Sequence, residues 1–335
     1  MDLLVTASRP LCGIVPGMAL IVQSPLDEAR LAHIEPHGWV QFSSMLSDDE
    51  LRVLSSALEG RPDVTLGILG TRGSVTDLEF LRFFPRLTRL VVHIYELDNV
   101  EGLGYLPSNL ETLDIGPTRK RLSLQPLARF SALKRLSLDG HTKLTEIVGE
   151  LKSLVLLQLR SFTLPGLEML EALPSLRLLD LFLGGTTNLG ALAKVPAVEY
   201  LQLSMVRGLA DVSIVASMPE LRYLFLDCLK HVTELPDLSQ SEKLRGVALW
   251  QMKGLTDLAP VADAPHLEQL SLQQMNHLQP SAVTPFVGHP TLREATLDVG
   301  ATKAKTAAPL LDLPPVQEPQ RRWRADVAAD HGLDL

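Results

Sequence analysis

The chain has 335 residues, of which 46% are hydrophobic and 21% are charged, and its formal net charge is −8 at pH 7. This composition favours a folded chain with a large core over disorder. Proteins that bind a phosphate backbone need a concentrated basic patch, so the acidic balance excludes a nucleic-acid partner. The two cysteines, Cys12 and Cys228, form neither a disulfide framework nor a metal knuckle, which indicates a reducing, cytoplasmic compartment.

An apolar stretch near the N-terminus, residues 11–22, raises the question of secretion. Pro16 and Gly17 interrupt it, and it is too short to span a bilayer, so the sequence predicts no membrane span. A strand over residues 18–23 is the simpler interpretation, and a secretion signal stays open as the alternative.

Residues 1–60 are predicted to form a small α/β capping region. Ser24, followed by a proline, is expected to be the N-cap of a first helix. Ser47 and Glu50 have the spacing of a capping box, which opens a second helix that ends at Gly60. The apolar face of that helix consists of Leu51, Leu54 and Leu58. A separate signalling module is the alternative for this region, although so short a segment leaves little room for a core of its own.

The dominant signal is an internal repeat of the pattern Leu-x-x-Leu-x-Leu. Ten copies occur at intervals of 21 to 25 residues, and a degenerate further turn is predicted near Val64. The copies begin at Leu87, Leu110, Leu133, Leu154, Leu176, Val198, Leu221, Leu244, Leu267 and Leu292.

Residues 61–312 resemble the leucine-rich-repeat family, and residues 255–272 look like its bacterial class of 22 to 23 residues. The resemblance implies an α/β fold: a right-handed solenoid with a curved parallel sheet on the concave face and short helices or turns on the convex face. It also implies a protein-interaction scaffold of ten to eleven turns rather than an enzyme.

The spacing explains how such a sheet would form. The last two apolar positions of each copy are two residues apart, so both point to the core, while the residues between them point to the opposite face. The rest of each repeat supplies the crossover to the next parallel strand. Prolines two residues before a repeat are expected to end the outer segments. They are Pro85, Pro174, Pro196, Pro219, Pro265 and Pro290.

One column departs from the family pattern. Many relatives have Asn at the ninth position, where its side chain satisfies backbone groups of the turn. In this chain none of the ten copies has Asn at the ninth position. The later turns have the apolar residues Val206, Leu229, Met252 and Met275 there. Apolar packing is therefore expected to replace the polar ladder.

The C-terminal end of the solenoid is predicted to have a smaller cap than the N-terminal end. Residues 303–311 could close the solenoid with a short helix, and residues 313–335 are expected to be a flexible tail. Trp323 lies between arginines in this tail, and an anchor for a partner or a lipid surface is the alternative to a frayed terminus.

An excess of aromatic residues falls at positions that should face the concave side. The chain holds 9 Phe, 3 Trp and 4 Tyr, so one or two of them would be expected by chance at the 30 such positions of the ten repeats. Five occur there, all in four consecutive turns: Phe182, Tyr200, Tyr223, Phe225 and Trp250. Their polar rim is predicted to consist of Arg160, Asp180, Gln202 and Asp227. Aromatic residues with a polar rim are typical of a protein-binding surface.

The sequence has no catalytic, phosphate-binding or metal-binding motif, so no enzyme activity, cofactor or metal is predicted. The predicted partner is another protein, bound through the concave face, and a monomer is favoured. Two alternatives stay open: a sensor of a small ligand or peptide, and an inhibitor or immunity-type protein that blocks a partner enzyme.

Overall fold

The computed structural model describes residues 19–70, 75–140, 147–300 and 311–335. Over these residues thirteen strands form one sheet in which each strand lies beside its neighbours in sequence, and every strand pair is parallel. The parallel solenoid predicted from the repeat is confirmed. The strands are β1 (Ala19–Ile21), β2 (Trp39–Phe42), β3 (Thr65–Gly70), β4 (Arg89–Ile94), β5 (Thr112–Ile115), β6 (Arg135–Asp139), β7 (Leu156–Arg160), β8 (Leu178–Phe182), β9 (Tyr200–Ser204), β10 (Tyr223–Asp227), β11 (Gly246–Trp250), β12 (Gln269–Met275) and β13 (Glu294–Val299).

The register of the sheet stacks equivalent repeat positions on one another. Leu201 pairs with Leu224, and Leu224 with Val247, so the inward apolar side chains form a continuous core between the sheet and the outer segments. A second, separate apolar cluster lies on the opposite, concave side of the sheet. Because side chains alternate across a strand, both clusters come from the same strands.

The outer segments are mostly short 3₁₀ helices, such as Glu79–Phe83 and Ser213–Ser217, and α3 (Ala259–Ala262) is a short α-helix among them. Several begin after an Asp or Asn whose side chain accepts a hydrogen bond from the backbone N–H two residues later, as Asp211 does from Ser213 at 2.8 Å. This local bond favours a turn over a longer helix. The segments end before the prolines, as predicted.

A backbone ladder occurs where the polar Asn ladder is missing. In successive turns the residue after the strand has positive φ, for example 54° at Met205 and 55° at Cys228. Its N–H donates to the carbonyl of the last residue of the next strand, Met205 to Asp227 at 2.9 Å and Cys228 to Trp250 at 2.9 Å. The apolar side chains that follow, including Met252, are buried in the core, which confirms that apolar packing replaces the Asn ladder in these turns.

The N-terminal region extends the same sheet, since β1 pairs with β2 and β2 with β3. The capping box of α2 (Asp48–Leu58) is confirmed, with Ser47 and Glu50 bonded reciprocally. The predicted N-cap at Ser24 is wrong, because α1 (Glu28–Leu31) begins after Asp27. The Ser24 hydroxyl instead donates to Glu50 at 2.9 Å, which ties the first turn of the chain to α2.

The C-terminal region differs most from the sequence-based expectation. The predicted closing helix over residues 303–311 lies outside the described residues, apart from Leu311. Next to β13, the Pro314 carbonyl accepts from the N–H of Ala295 at 2.9 Å, so the chain runs along the open edge of the sheet. It then forms α4 (Pro319–Asp330), which packs on the concave side and replaces the predicted frayed terminus.

Candidate protein-binding surface

The register places all five predicted aromatic residues on the concave side of β8 to β11. We call Phe182, Tyr200, Tyr223, Phe225 and Trp250 the aromatic surface. Tyr200 and Tyr223 are directly paired on neighbouring strands. The rings of Phe225 and Trp250 are edge-to-face, with centroids 4.7 Å apart, and Trp250 Nε1 donates to Ser271 Oγ at 3.1 Å. Four neighbouring strands therefore carry the five rings on the same side of the sheet.

Much of the aromatic surface is not open to solvent, because α4 packs on it. Trp323 is fully buried and stacks on Tyr223, with ring centroids 5.2 Å apart and an angle of 12° between the rings. Trp323 Nε1 donates to Gln269 Oε1. Val327 and Ala328, one turn further along the helix, are buried in the same cluster. The expectation of an exposed aromatic patch is therefore wrong for three of its members, which are Tyr200, Tyr223 and Phe225. Phe182 and Trp250 are only partly buried.

A glycine makes room for the Trp323 ring. Gly246 on β11 occupies a position where neighbouring strands have Tyr223 and Gln269. A Cβ atom at Gly246 would lie 2.7 Å from Trp323 Cζ2 and 2.8 Å from Tyr223 Cδ1, closer than carbon atoms approach without displacement. The missing side chain thus forms a notch, which is bounded by the Tyr223 ring and the Gln269 amide.

The predicted polar rim divides into buried and partly exposed members. Asp180 is completely buried and forms an ion pair with Arg324 of α4, at 3.0 Å between Oδ2 and Nη2. Burial raises the pKa of the Asp180 carboxyl, while Arg324 and Arg135 act in the opposite direction. Gln202 is also buried, and it accepts from the Tyr200 hydroxyl at 2.9 Å.

The other two rim residues remain accessible at the margin. Arg160 forms an ion pair with Asp139 at 3.3 Å, and both are partly exposed. Asp227, paired in register with Trp250, is also partly exposed.

Charged contacts fix the two ends of α4. Near its start, Arg322 forms an ion pair with Glu294 of β13 at 2.9 Å. At its end, Asp330 contacts Arg222 at 2.5 Å, and His331 Nε2 lies 2.7 Å from Glu199. These charged groups of the helix and of the solenoid are complementary in sign and position.

Beyond α4, the last residues reach the N-terminal strands. Asp334 contacts Arg89 at 3.2 Å and His37 at 3.3 Å. It lines a cavity of about 390 Å³ together with Trp39 and Arg135. The C-terminal region therefore contacts the concave side at strands from β13 to β4.

The described residues contain no group of His, Cys, Asp and Glu side chains that could hold a metal ion. Burial and the neighbouring Asp227 raise the pKa of the Cys228 thiol to about 11, which keeps it protonated at neutral pH and makes it a poor nucleophile. In this part of the chain no helix is long and apolar enough to cross a membrane.

Sequence reasoning missed the residues of α4 that contact the aromatic surface. One signal was available: Trp323, Val327 and Ala328 have helical spacing, i, i+4 and i+5, in an otherwise charged segment. A second was the outward leucines Leu156 and Leu178, which are apolar at positions that face the concave side and are buried there. Together they indicate an apolar stripe on the sheet and a matching helix.

Comparison with solved structures supports the fold. An internalin from Listeria monocytogenes is similar with a TM-score of 0.55 at 17% identity, and the match covers 87% of this chain and 88% of that chain. Internalin C2 from the same species (TM-score 0.39, 19% identity, 72% and 83% covered) and a leucine-rich-repeat protein from Leptospira interrogans (0.39, 14%, 82% and 89%) are also found. No family model and no curated protein matches the sequence. The chain has the leucine-rich-repeat fold.

Proposed function

We propose that this chain is a non-enzymatic protein-interaction scaffold that binds a partner through the concave face. The observation that carries the proposal is the aromatic surface, which already holds a helix by ring stacking, with the buried Asp180–Arg324 ion pair beside it. Large aromatic side chains on a rigid sheet, surrounded by charged groups, are typical of binding hot spots. We propose that the binding partner of this chain is another protein.

We also propose a capping role for the N-terminal region and a cytoplasmic location for the scaffold. Since β1 and β2 continue the sheet of the repeats, we assign residues 1–60 the role of covering the first turn rather than of signalling. The two cysteines, far apart in sequence, favour a reducing cytoplasm. Cell fractionation tests this location.

Affinity capture from a native extract tests the function. The bait is the full chain with W323A and R324A, which removes the ring stacking and the ion pair that hold α4 on the concave side, and circular dichroism checks that this chain is folded. A protein retained by this bait should be lost when Y223A and W250A are added, and each alanine should weaken its binding by about 2 kcal/mol in calorimetry. Tyr105→Ala is the matched control, because Tyr105 is an exposed aromatic on an outer segment.

Capture that Y223A and W250A leave unchanged would remove the aromatic surface as the binding site. A partner that instead responds to Tyr105→Ala would locate binding on the convex side.

A further inference from the structure

The shape and polarity of the notch at Gly246 determine which side chain can occupy it. It is flat, closed on one side by the Tyr223 ring and open to the Gln269 amide oxygen, which accepts a hydrogen bond from Trp323 Nε1. Among side chains, indole combines a large flat face with an N–H donor at its edge. The notch therefore selects Trp over aliphatic side chains.

Asp180 specifies a cation next to that ring. Its carboxylate is fully buried, and Arg324 of α4 contacts it at 3.0 Å and also approaches Gln158 Oε1 at 3.4 Å. A buried carboxylate is costly unless a nearby cation compensates its charge, and the Arg324 guanidinium supplies that charge. A ligand of this surface thus needs Trp followed by Arg.

The ends of the site specify the polarity of the ligand helix. Glu294 contacts a cation at the start of the helix, Arg322, and Arg222 contacts an anion at its end, Asp330. A helix laid in the reverse direction would lose both ion pairs and place Asp330 against Glu294. The site distinguishes one orientation.

The helix that occupies the site, α4, has low intrinsic stability. Its N-cap residue, Glu318, has φ 38° and ψ 56° and makes no side-chain capping bond. A left-handed residue and an uncapped end are unfavourable, and a helix of this length is marginal without tertiary contacts. The structure of α4 therefore depends on its contacts with the concave side.

Resting on the proposed function, we propose that the concave surface is a receptor for a partner's amphipathic helix carrying adjacent Trp and Arg, and that α4 is a self-ligand which this helix replaces. Tethering gives α4 a high local concentration, so a free ligand of similar sequence binds the intact chain weakly. A partner helix replaces α4 if it makes these contacts more strongly than α4 does.

Fluorescence anisotropy with a labelled synthetic peptide of residues 314–335 tests the proposal. The full chain carrying W323A and R324A should bind this peptide at least about tenfold more tightly than the wild-type chain, because its own α4 no longer competes. A peptide with Ala in place of Trp323 should bind about 30-fold more weakly, as expected for a hot-spot ring. Adding Gly246→Val to the chain should abolish binding, since the notch is then filled.

Circular dichroism of each variant establishes that the solenoid is folded, and W323F with R324K provides a milder release of α4. A folded, released chain that does not bind the peptide would overturn the proposal, as would equal binding of the peptide lacking Trp. A wild-type dimer in sedimentation velocity that Gly246→Val dissociates would assign the surface to a second copy of this chain and also overturn it. The capture experiment reports whether Y223A and W250A abolish the binding of a partner protein, whereas the anisotropy experiment reports the binding of the α4 peptide, so a failure of the proposed function and a failure of this proposal are distinguishable.

Discussion

Gly246 and Trp323 are separated by 77 positions in the sequence, yet the space left by the missing side chain of one is filled by the ring of the other: a Cβ atom at Gly246 would lie 2.7 Å from Trp323 Cζ2. The pair joins the eleventh strand of the solenoid to the C-terminal helix. It determines where α4 is placed on the concave side.

Substitution of Gly246 by Ala should displace the Trp323 ring and lower the free energy of unfolding by about 1–3 kcal/mol, the range for overpacking a close-packed site. Urea unfolding measures the free energy, and a red shift of the tryptophan emission of the folded variant relative to wild type reports movement of the Trp323 ring towards water. Gly104→Ala is the matched control, since a Cβ there would meet only Arg129 Nη1 at 3.7 Å. A Gly246→Ala chain as stable as wild type would show that the ring does not depend on the notch.

Arg324→Gln should leave the buried Asp180 carboxylate without its closest cation and destabilise the chain by about 3 kcal/mol. Asp180→Asn combined with Arg324→Gln should cost less than the sum of the two single changes, with a coupling of about 1–3 kcal/mol in a double-mutant cycle. Arg321→Gln, on an exposed part of the same helix, should change stability by less than about 0.5 kcal/mol. Additive single and double effects would contradict a direct Asp180–Arg324 interaction.

The solenoid could be predicted from the sequence because its signal is local and repeated. The positions of Leu201, Leu224 and Val247 within each copy determine which side chains face the core, and the observed register agrees. The aromatic surface followed from the same register, which correctly placed Tyr223 and Trp250 on one side of the sheet.

The packing of α4 on the aromatic surface could not be predicted from the sequence in the same way. The contact of Trp323 with Gly246 depends on the return of a distant part of the chain. A single glycine at a repeat position that faces the concave side does not indicate which side chain fills the space beside it. The arginines around Trp323 indicated a solvated tail, whereas Arg324 has a buried partner and Arg322 lies against Glu294. The charges of the tail were complementary to charges on the strands, a relation that appears only in three dimensions.

Met205→Gly should stabilise the chain by about 1 kcal/mol, although it removes a side chain. Met205 has φ 54°, a left-handed conformation that is unfavourable for a residue with a Cβ atom, and the residue is 39% exposed, so the relief of backbone strain should exceed the loss of packing. Thermal or urea unfolding measures the gain. Val287→Gly is the matched control: Val287 is also exposed but has φ −66°, so the same change should be neutral or destabilising. Destabilisation of both variants to the same extent would contradict relief of backbone strain at Met205.

The N-terminal region should lose stability in acid through Glu50. Its carboxylate accepts bonds from the Ser47 backbone and hydroxyl, and then from Leu26 and Ser24, which lowers its pKa from 4.5 to about 2. The group has a depressed pKa in the folded state, so its contribution is complete above pH 4.5 and is lost as the pH falls towards about 2.

The measurement compares wild type with Glu50→Gln in urea unfolding between pH 7 and about 2.5. The stability difference between the two chains should be largest at neutral pH and should shrink below pH 4.5, because a protonated Glu50 and a glutamine are both uncharged. Asp49→Asn is the control, since Asp49 is exposed and its side chain pairs with Arg52 of the same helix. A difference between wild type and Glu50→Gln that is independent of pH would show that the carboxylate charge does not hold Ser24 and Leu26 against α2.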